Sequence, residues 1–279
     1  MRIAFAAATA ALFVATAAQA APTTYPGWQI TQKYTTRASA GPCNFNTAIT
    51  CGYSNYARAT SSVVYDPATD TYTVRDTGST AIKSSFGPAN VSSSDATYVN
   101  YSKNSGAETF RILNTAGVNP LIELSYVNYG KWRRTSTSGA LTNVNDTYLV
   151  WGSKTPASAV TSGTGSYSTV LDGTFVNKDG VFSVSGTGTF DANFGAGTIS
   201  YSSAATGTSE GSASPINFGT LTGAGRVARG NFSGTGATNG SGYAMDVNGT
   251  FFGPAHEEMG GVFVLRGNKG NGVGAIVGN

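Results

Sequence analysis

The sequence predicts an all-β protein, with an N-terminal antiparallel sheet domain followed by an eight-stranded antiparallel β-barrel. Short runs of β-branched and aromatic residues alternate with polar residues and are separated by turn residues, which is the pattern of half-buried strands. The 279 residues include 37 glycines, 14 tyrosines and 14 phenylalanines, and only 11% are charged. Long solvent-facing helices carry more charge, and disordered chains carry fewer aromatic side chains.

The N-terminal half is predicted to contain an irregular arm and then a sheet. Residues 21–60 hold several prolines and a cysteine loop, and one strand is expected there, near residues 28–34. Two β-branched and aromatic runs flank the turn at residues 66–70, which predicts a hairpin over residues 61–74. Further strands are expected at residues 98–101, 108–113, 120–132 and 145–151. The run 121–129 is the most apolar and is predicted to lie centrally in its sheet.

The C-terminal half is predicted to begin after a Gly/Ser/Thr-rich linker at residues 151–164. The sheet domain then spans residues 21–150 and the barrel residues 165–279. Asp179-Gly180 between two aromatic runs predicts a hairpin, and a second is expected around residues 190–199. Later strands are expected at residues 216–221, 226–233 and 242–252, and then in a closing pair. About eight strands are enough to close a barrel, and closure removes exposed sheet edges.

The first twenty residues are predicted to be an export signal. Arg2 provides the positive flank, residues 3–17 the apolar run, and Ala18-Gln19-Ala20 the cleavage site. The apolar run is too short and too rich in alanine for a membrane span. The first mature residue would be Ala21, whereas a lipoprotein needs a cysteine there. We therefore expect an exported protein in the periplasm, outside the cell or at the cell surface.

The charge balance argues against nucleic acid or an anionic membrane as partner. Without Arg2 the formal charge is 16 − 14 = +2 with the single histidine neutral. The densest basic cluster is Lys131, Arg133 and Arg134. It is predicted to be a solvated strand end, and a docking patch is the alternative.

The two cysteines, Cys43 and Cys51, are close in sequence. In an exported chain such a pair predicts a local disulfide bond that fixes an N-terminal loop. Two cysteines without neighbouring histidines make a poor zinc site, and no metal site is expected.

The closing element of the barrel carries a motif with fixed spacing. Pro254 must end the strand before it, and the Gly260-Gly261 pair allows another backbone to come close. The run Phe251-Phe252-Gly253-Pro254, followed by Glu258-Met259-Gly260-Gly261, is similar to the signature that ends the barrel of transferrin-binding protein B-like proteins. Segments around residues 150–156, 163–168 and 192–197 also resemble that family.

The resemblance implies a function without catalysis. Proteins of this family are bacterial surface or secreted proteins that capture iron carriers, haem or related ligands. The expected role is to capture haem or an iron-carrying protein for an outer-membrane receptor, and the N-terminal sheet would correspond to the family's handle. The protein is expected to be a monomer. An adhesin or structural surface protein without a ligand pocket is the alternative.

The ligand candidates follow from one departure from the family pattern. Family members mostly have a small residue where this chain has His256. An imidazole there suggests axial binding of haem, with help from Tyr243, Met245 or Tyr201. The alternative is an exposed turn histidine, and no bound cofactor is required.

Catalytic interpretations of the same motifs are weaker. His256-Glu257-Glu258 begins like a zinc-protease helix motif, but position 260 is glycine and the chain has no second histidine. Gly207-Thr208-Ser209-Glu210-Gly211 matches the hydrolase nucleophile pattern, but no helix is expected after it. Glu258 is instead expected to accept backbone N–H groups at its turn. No enzyme activity is predicted.

Overall fold

The computed structural model describes residues 35–44, 50–51, 54–58, 61–66, 68–76, 82–138, 141–211, 213–237, 241–267 and 270–279. The strands before the barrel are β1 (Thr35–Asn44), β2 (Thr50–Cys51), β3 (Ser54–Arg58), β4 (Ser61–Asp66), β5 (Thr71–Asp76), β6 (Ile82–Phe86), β7 (Val91–Ser94), β8 (Tyr98–Lys103), β9 (Glu108–Leu113), β10 (Val127–Ser138) and β11 (Leu141–Gly152). The barrel strands are β12 (Thr164–Asn177), β13 (Gly180–Asn193), β14 (Thr198–Ser209), β15 (Ile216–Ala228), β16 (Asn231–Ala237), β17 (Tyr243–Phe252), β18 (Glu258–Gly267) and β19 (Gly270–Gly278). Within these described ranges no helix is long and apolar enough to cross a membrane.

The C-terminal half is a closed antiparallel barrel, as the sequence predicts. Each strand from β12 to β19 pairs with the next, and β19 pairs back with β12 in a register that places Val170 opposite Val277. Side chains alternate between the two faces, so that Ile199 and Tyr201 of β14 are buried while Thr198 and Ser200 are exposed.

The interior of the barrel is filled by side chains. Large rings face glycines on the neighbouring strand, as in the pairs Phe263–Gly274, Phe232–Gly249 and Tyr201–Gly223. A Cβ atom at any of these glycines would lie 2.3 Å from the opposite ring. The many glycines of this half therefore make room for aromatic side chains in a barrel of only eight strands.

The N-terminal half contains two sheets that form layers on the barrel. The larger sheet has the order β2-β1-β11-β10-β9-β8-β7, and β3 also pairs with β1. One face of this sheet packs on the outside of β12, β18 and β19, through contacts such as Val127 and Val150 against Val262 and Val277. Its other face packs on the small sheet β4-β5-β6, around Trp132 and Phe110.

Several predicted elements are confirmed, and others are wrong. The hairpin predicted over residues 61–74 is β4–β5. The interpretation of residues 21–60 as an irregular arm is wrong for β1, a ten-residue strand that pairs with β11. Its polar, glycine-containing sequence lacks the apolar alternation used to identify strands, and pairing on two sides supplies its hydrogen bonds. The strand expected near residues 28–34 and the export signal lie outside the described residues.

Two strand predictions placed the boundaries wrongly. The apolar run 121–129 is not a central strand, because only residues from Val127 onward pair in the sheet, while residues 114–126 form a loop. The strand expected at residues 226–233 is a hairpin, because Arg229 and Gly230 adopt positive φ angles and reverse the chain between β15 and β16.

Candidate functional site at the junction of sheet and barrel

The Glu258 side chain ties the barrel to the sheet. Its carboxylate accepts hydrogen bonds from the backbone N–H groups of Ser125, Tyr126 and Val127, at 2.5, 2.8 and 2.8 Å. These donors lie at the start of β10, more than 130 positions earlier in the chain, and not in the turn of Glu258 itself. The side chain is 4% exposed. Burial raises the pKa of Glu258 although the three N–H groups act to lower it.

The glycines of the closing motif permit the same close approach. A Cβ atom at Gly260 would lie 2.8 Å from methyl carbons of both Val127 and Val150 in the sheet. Gly253 has φ +87°, and a Cβ there would meet the Tyr126 ring at 2.9 Å. Pro254 follows directly after it in the loop that ends β17. Gly253 and Gly260 of the motif therefore allow the barrel to pack closely on the sheet. Gly261 has a different role, because it lies against the backbone of Asn248 within the barrel wall.

Arg133 of β10 lies at the centre of a partly buried ionic cluster. Its Nε is 2.7 Å from Oδ1 of Asp146 on β11, and its Nη1 is 2.6 Å from Oε2 of Glu210, which directly follows β14. Nζ of Lys131 is 3.3 Å from Asp146, and the hydroxyl of Thr174 on β12 donates to the same carboxylate at 2.7 Å. We call these five residues the junction cluster, because it connects the sheet to the barrel.

The electrostatics of the junction cluster favour the charged form of its two carboxylates, whereas burial lowers the pKa of Lys131. Burial raises the pKa of Asp146, but the positive charges of Arg133 and Lys131 outweigh burial and hold that pKa well below its usual range. For Glu210, burial likewise raises the pKa, and the hydrogen bonds and charge of Arg133 bring it below the ordinary value. The prediction of a solvated basic strand end is wrong for Arg133 and Lys131, since the fold places two carboxylates against them, Asp146 from β11 and Glu210 from the segment after β14.

A second ion pair crosses the junction nearby. Arg111 of β9 pairs with Asp172 of β12, and its guanidinium lies 4.4 Å from the centre of the Tyr98 ring. The hydroxyl of Tyr98 is 3.1 Å from that of buried Tyr129. Sequence spacing gave no signal for this pair, because its members are 61 positions apart.

His256 lies in the loop between β17 and β18, at one end of the barrel. It is half-buried, with a positive φ of 58°, and its ring centre is 4.4 Å from that of Phe194. The hydroxyl of Tyr167 donates to its backbone carbonyl at 2.7 Å. The histidine lies in a turn, as the alternative interpretation expects, but it is half-buried because its ring packs on Phe194. A ligand role for His256 stays a prediction.

The other ligand candidates are not brought together with His256. Tyr243 begins β17 and packs on Phe175 and Phe218 at the opposite end of the barrel. The ten-residue strand separates the two ends by about 30 Å. Tyr201 and Met245 are buried inside, where the Tyr201 hydroxyl donates to the Met245 carbonyl at 2.7 Å.

The remaining candidates in the sequence are the cysteine pair, the Gly-x-Ser-x-Gly pattern and a metal site. Cys43 and Cys51 lie directly opposite each other in the register of β1 and β2. Their side chains are outside what the structure describes, and the disulfide stays a prediction. Ser209 of the Gly-x-Ser-x-Gly pattern ends β14, and the next element is the strand β15, whereas the hydrolase nucleophile turn leads into a helix. Among the described residues, no three His, Cys, Asp or Glu side chains form a group that could hold a metal ion.

Comparison with known proteins gives matches among solved structures only. No family model and no curated protein matches the sequence. A double mutant of the vaccine antigen transferrin binding protein B from Haemophilus parasuis Hp5 is 16% identical, with a TM-score of 0.49, over 88% of this chain and 44% of that one. Isotype 1 transferrin binding protein B from serogroup B Neisseria meningitidis is 15% identical, with a TM-score of 0.44, over 80% and 52%. The N-lobe of lactoferrin binding protein B of Moraxella bovis is 12% identical, with a TM-score of 0.39, over 87% and 99%.

These structural neighbours are the class of protein that the closing motif resembles. The chain spans about half the length of the first two. With identities of 16% or less and TM-scores below 0.5, the likeness decides neither partner nor activity.

Proposed function

We propose that this protein is an exported, non-catalytic binding protein of the transferrin-binding protein B type, which captures an iron-carrying protein for an outer-membrane receptor. The proposal rests on the structural role of the closing motif. Glu258, Gly253 and Gly260 do not form a pocket but lock the barrel against the sheet. The result is a fixed surface built from two layers, which suits recognition of a macromolecule.

Because its interior is filled, the barrel has no room for haem, and this favours a protein as the partner. Rings such as Phe251, Phe190 and Phe232 occupy the lumen, with centres 4.7 to 6.3 Å apart. Haem would need an open apolar cleft and a nearby axial ligand. His256 already packs on Phe194, and Tyr243 lies at the far end of the barrel.

The loop at residues 114–126 is the surface best suited to contact such a partner. Val118 at its tip is 78% exposed, which is twice the exposure of Leu121 at 38%. The loop is fixed in place, because the Asn119 amide donates to the carbonyls of Thr97 and Asn114 at 2.9 and 3.0 Å. Buried Ile122 anchors the same loop in the core. A pre-ordered loop that presents an apolar side chain loses little entropy on binding.

The experiment is a binding assay with the secreted protein immobilised on a biosensor. Iron-loaded and iron-free transferrin and lactoferrin are the analytes, and serum albumin is the control. We expect one carrier to bind and V118S to weaken its binding several-fold. The matched control is V91S, at the 43% exposed Val91 of β7, which should bind as the parent does. Absence of binding to every carrier would overturn the proposal.

Haem binding is tested with the same purified protein. Haemin titration of the parent and of H256A should leave the Soret band at the position of free haemin in both. A shifted Soret band that disappears in H256A would assign capture to haem instead of a carrier protein.

A further inference from the structure

A cleft outside the barrel, beside the junction, has the chemistry of a ligand site. Its volume is about 680 Å³, within the range of small-molecule sites in proteins. The sheet contributes Tyr98 and Arg111 to one wall, and Leu121 of the loop at residues 114–126 lies beside them. The outer faces of β13, β14 and β15 form the floor and the other wall. Neither His256 nor Val118, at the tip of the loop at residues 114–126, lines it.

The floor of the cleft is an ordered array of hydroxyl groups. In the register of β13 and β14, Ser183 is opposite Thr208 and Ser185 is opposite Thr206. Thr206 in turn is opposite Asn217 of β15. Adjacent strands are about 4.8 Å apart, and alternate residues of one strand are about 7 Å apart. The polar groups therefore form rows at fixed intervals on a rigid barrel wall.

These hydroxyl groups are available to a ligand. Ser185, Thr206 and Thr208 are exposed, and within the described part of the chain their hydroxyls have no protein partner. Each can both donate and accept a hydrogen bond. A bulge between β14 and β15 shifts the register there, where Gly219 has φ +72° and its N–H donates to Oδ1 of Asn217 at 2.8 Å. Bulges of this kind redirect side chains next to binding sites.

The cleft has no net charge. Its two charged side chains, Arg111 and Asp172, pair with each other across the junction. A charged ligand would therefore find no unpaired counter-charge among these lining residues. Leu121, the Tyr98 ring and Ala204 add apolar surface beside the hydroxyl groups of the cleft.

We propose that this cleft binds a neutral oligosaccharide. Sugar hydroxyls match an array of groups that donate and accept, and the C–H faces of a sugar ring match an apolar wall beside it. A peptide is less well suited, because peptides commonly add to an open sheet edge, and the barrel wall that forms the floor is closed. The proposal is independent of the carrier-binding function proposed above.

The test begins with a glycan array that carries neutral and sialylated oligosaccharides, probed with the secreted protein. Maltotriose and chitotriose are then titrated in solution by calorimetry, with sialyllactose as the anionic comparison. We expect neutral glycans to be retained. The double variant T206V/T208V should lose at least tenfold in affinity, since each hydroxyl contributes a few-fold. The apolar replacements keep the side-chain shape, so unfolding midpoints should stay unchanged.

The matched control is T189V/T222V, which alters two exposed threonines on β13 and β15 that do not line the cleft. It should bind as the parent does. Three outcomes would each overturn the proposal: no retention of any neutral glycan, retention of sialylated glycans alone, or a loss of affinity in T206V/T208V no larger than the loss in the control.

Discussion

The carboxylate of Glu258 accepts a 2.8 Å hydrogen bond from the backbone N–H of Val127, although the two residues are 131 positions apart. One side chain at the start of β18 thereby determines where β10 begins. The docking of the sheet on the barrel and the closing motif of the barrel are consequently one structural feature.

Replacement of Glu258 should destabilise the junction. In E258A the N–H groups of Ser125, Tyr126 and Val127, of which only the last is fully buried, lose their acceptor, and we expect a loss of about 2–5 kcal/mol in the free energy of unfolding. E258Q keeps an acceptor oxygen but brings an NH₂ group towards a donor, so a smaller loss is expected. Urea unfolding measures both. The control is E257Q at the neighbouring exposed residue, which should change little. Equal stability of E258A and the parent would contradict the role of this residue.

Removal of Arg133 should be more damaging than removal of an exposed cation. R133M leaves Asp146, 1% exposed, without its main partner, and about 3–5 kcal/mol should be lost. The control is K178M, because the Lys178–Asp179 pair is on the surface, with side chains 82% and 48% exposed. Exposed pairs contribute about 0–1 kcal/mol. Chemical denaturation compares the two variants, and similar losses in both would show that the junction cluster does not stabilise the fold.

The junction cluster predicts a loss of stability in acid. The pKa values of Asp146 and Glu210 lie below their ordinary values in the folded protein, so the unfolded chain binds protons more readily than the folded chain. Their contribution is present above the unfolded values, about 3.9 and 4.3, and is lost as the pH falls through the folded values.

The measurement is the free energy of unfolding from neutral pH to about pH 3. The parent should lose stability steeply below about pH 4. D146N should be less stable at neutral pH but show a shallower decline in acid. A decline of the same slope in D146N would assign the acid sensitivity to other carboxylates.

Gly223 should not tolerate a methyl group. In G223A the new Cβ would lie 2.3 Å from the Tyr201 ring and 2.6 Å from the carbonyl oxygen of Thr235. Because Tyr201 is held by its hydrogen bond to Met245, we expect a loss of about 1–3 kcal/mol. The control is G117A, whose Cβ has nothing within 4 Å and whose loop position is open. Thermal unfolding separates the two, and unchanged melting of G223A would mean that the lumen has spare room.

Local patterns were sufficient to predict the strands with clear alternation or clear turns. The hairpin β4–β5, the Asp179-Gly180 turn and the eight-strand count came from spacing that acts over a few residues. The strand β1 and the loop at residues 114–126 were predicted wrongly for the same reason. Apolar residues such as Ile122 are buried by docking on other layers, and that burial leaves no period-two pattern in the chain.

The candidate site was predictable only in part. The fixed offsets of Gly253, Glu258 and Gly260 marked a motif, but its donors in residues 125–127 gave no signal. The ionic pairing of Arg133 was equally invisible, because its partners Asp146 and Glu210 are 13 and 77 positions away in sequence.

The sequence by itself determined that the chain is all-β, that its second half closes into a barrel and that this barrel ends in a motif with fixed spacing, since these depend on alternation, turn chemistry and glycine placement along the chain. Only the tertiary structure decided what the motif does. The tertiary structure packs the sheet against the barrel, pairs Arg133 and Lys131 with Asp146 and Glu210, and separates His256 from Tyr243. The reason is that the packing of whole layers sets which distant strands come into contact.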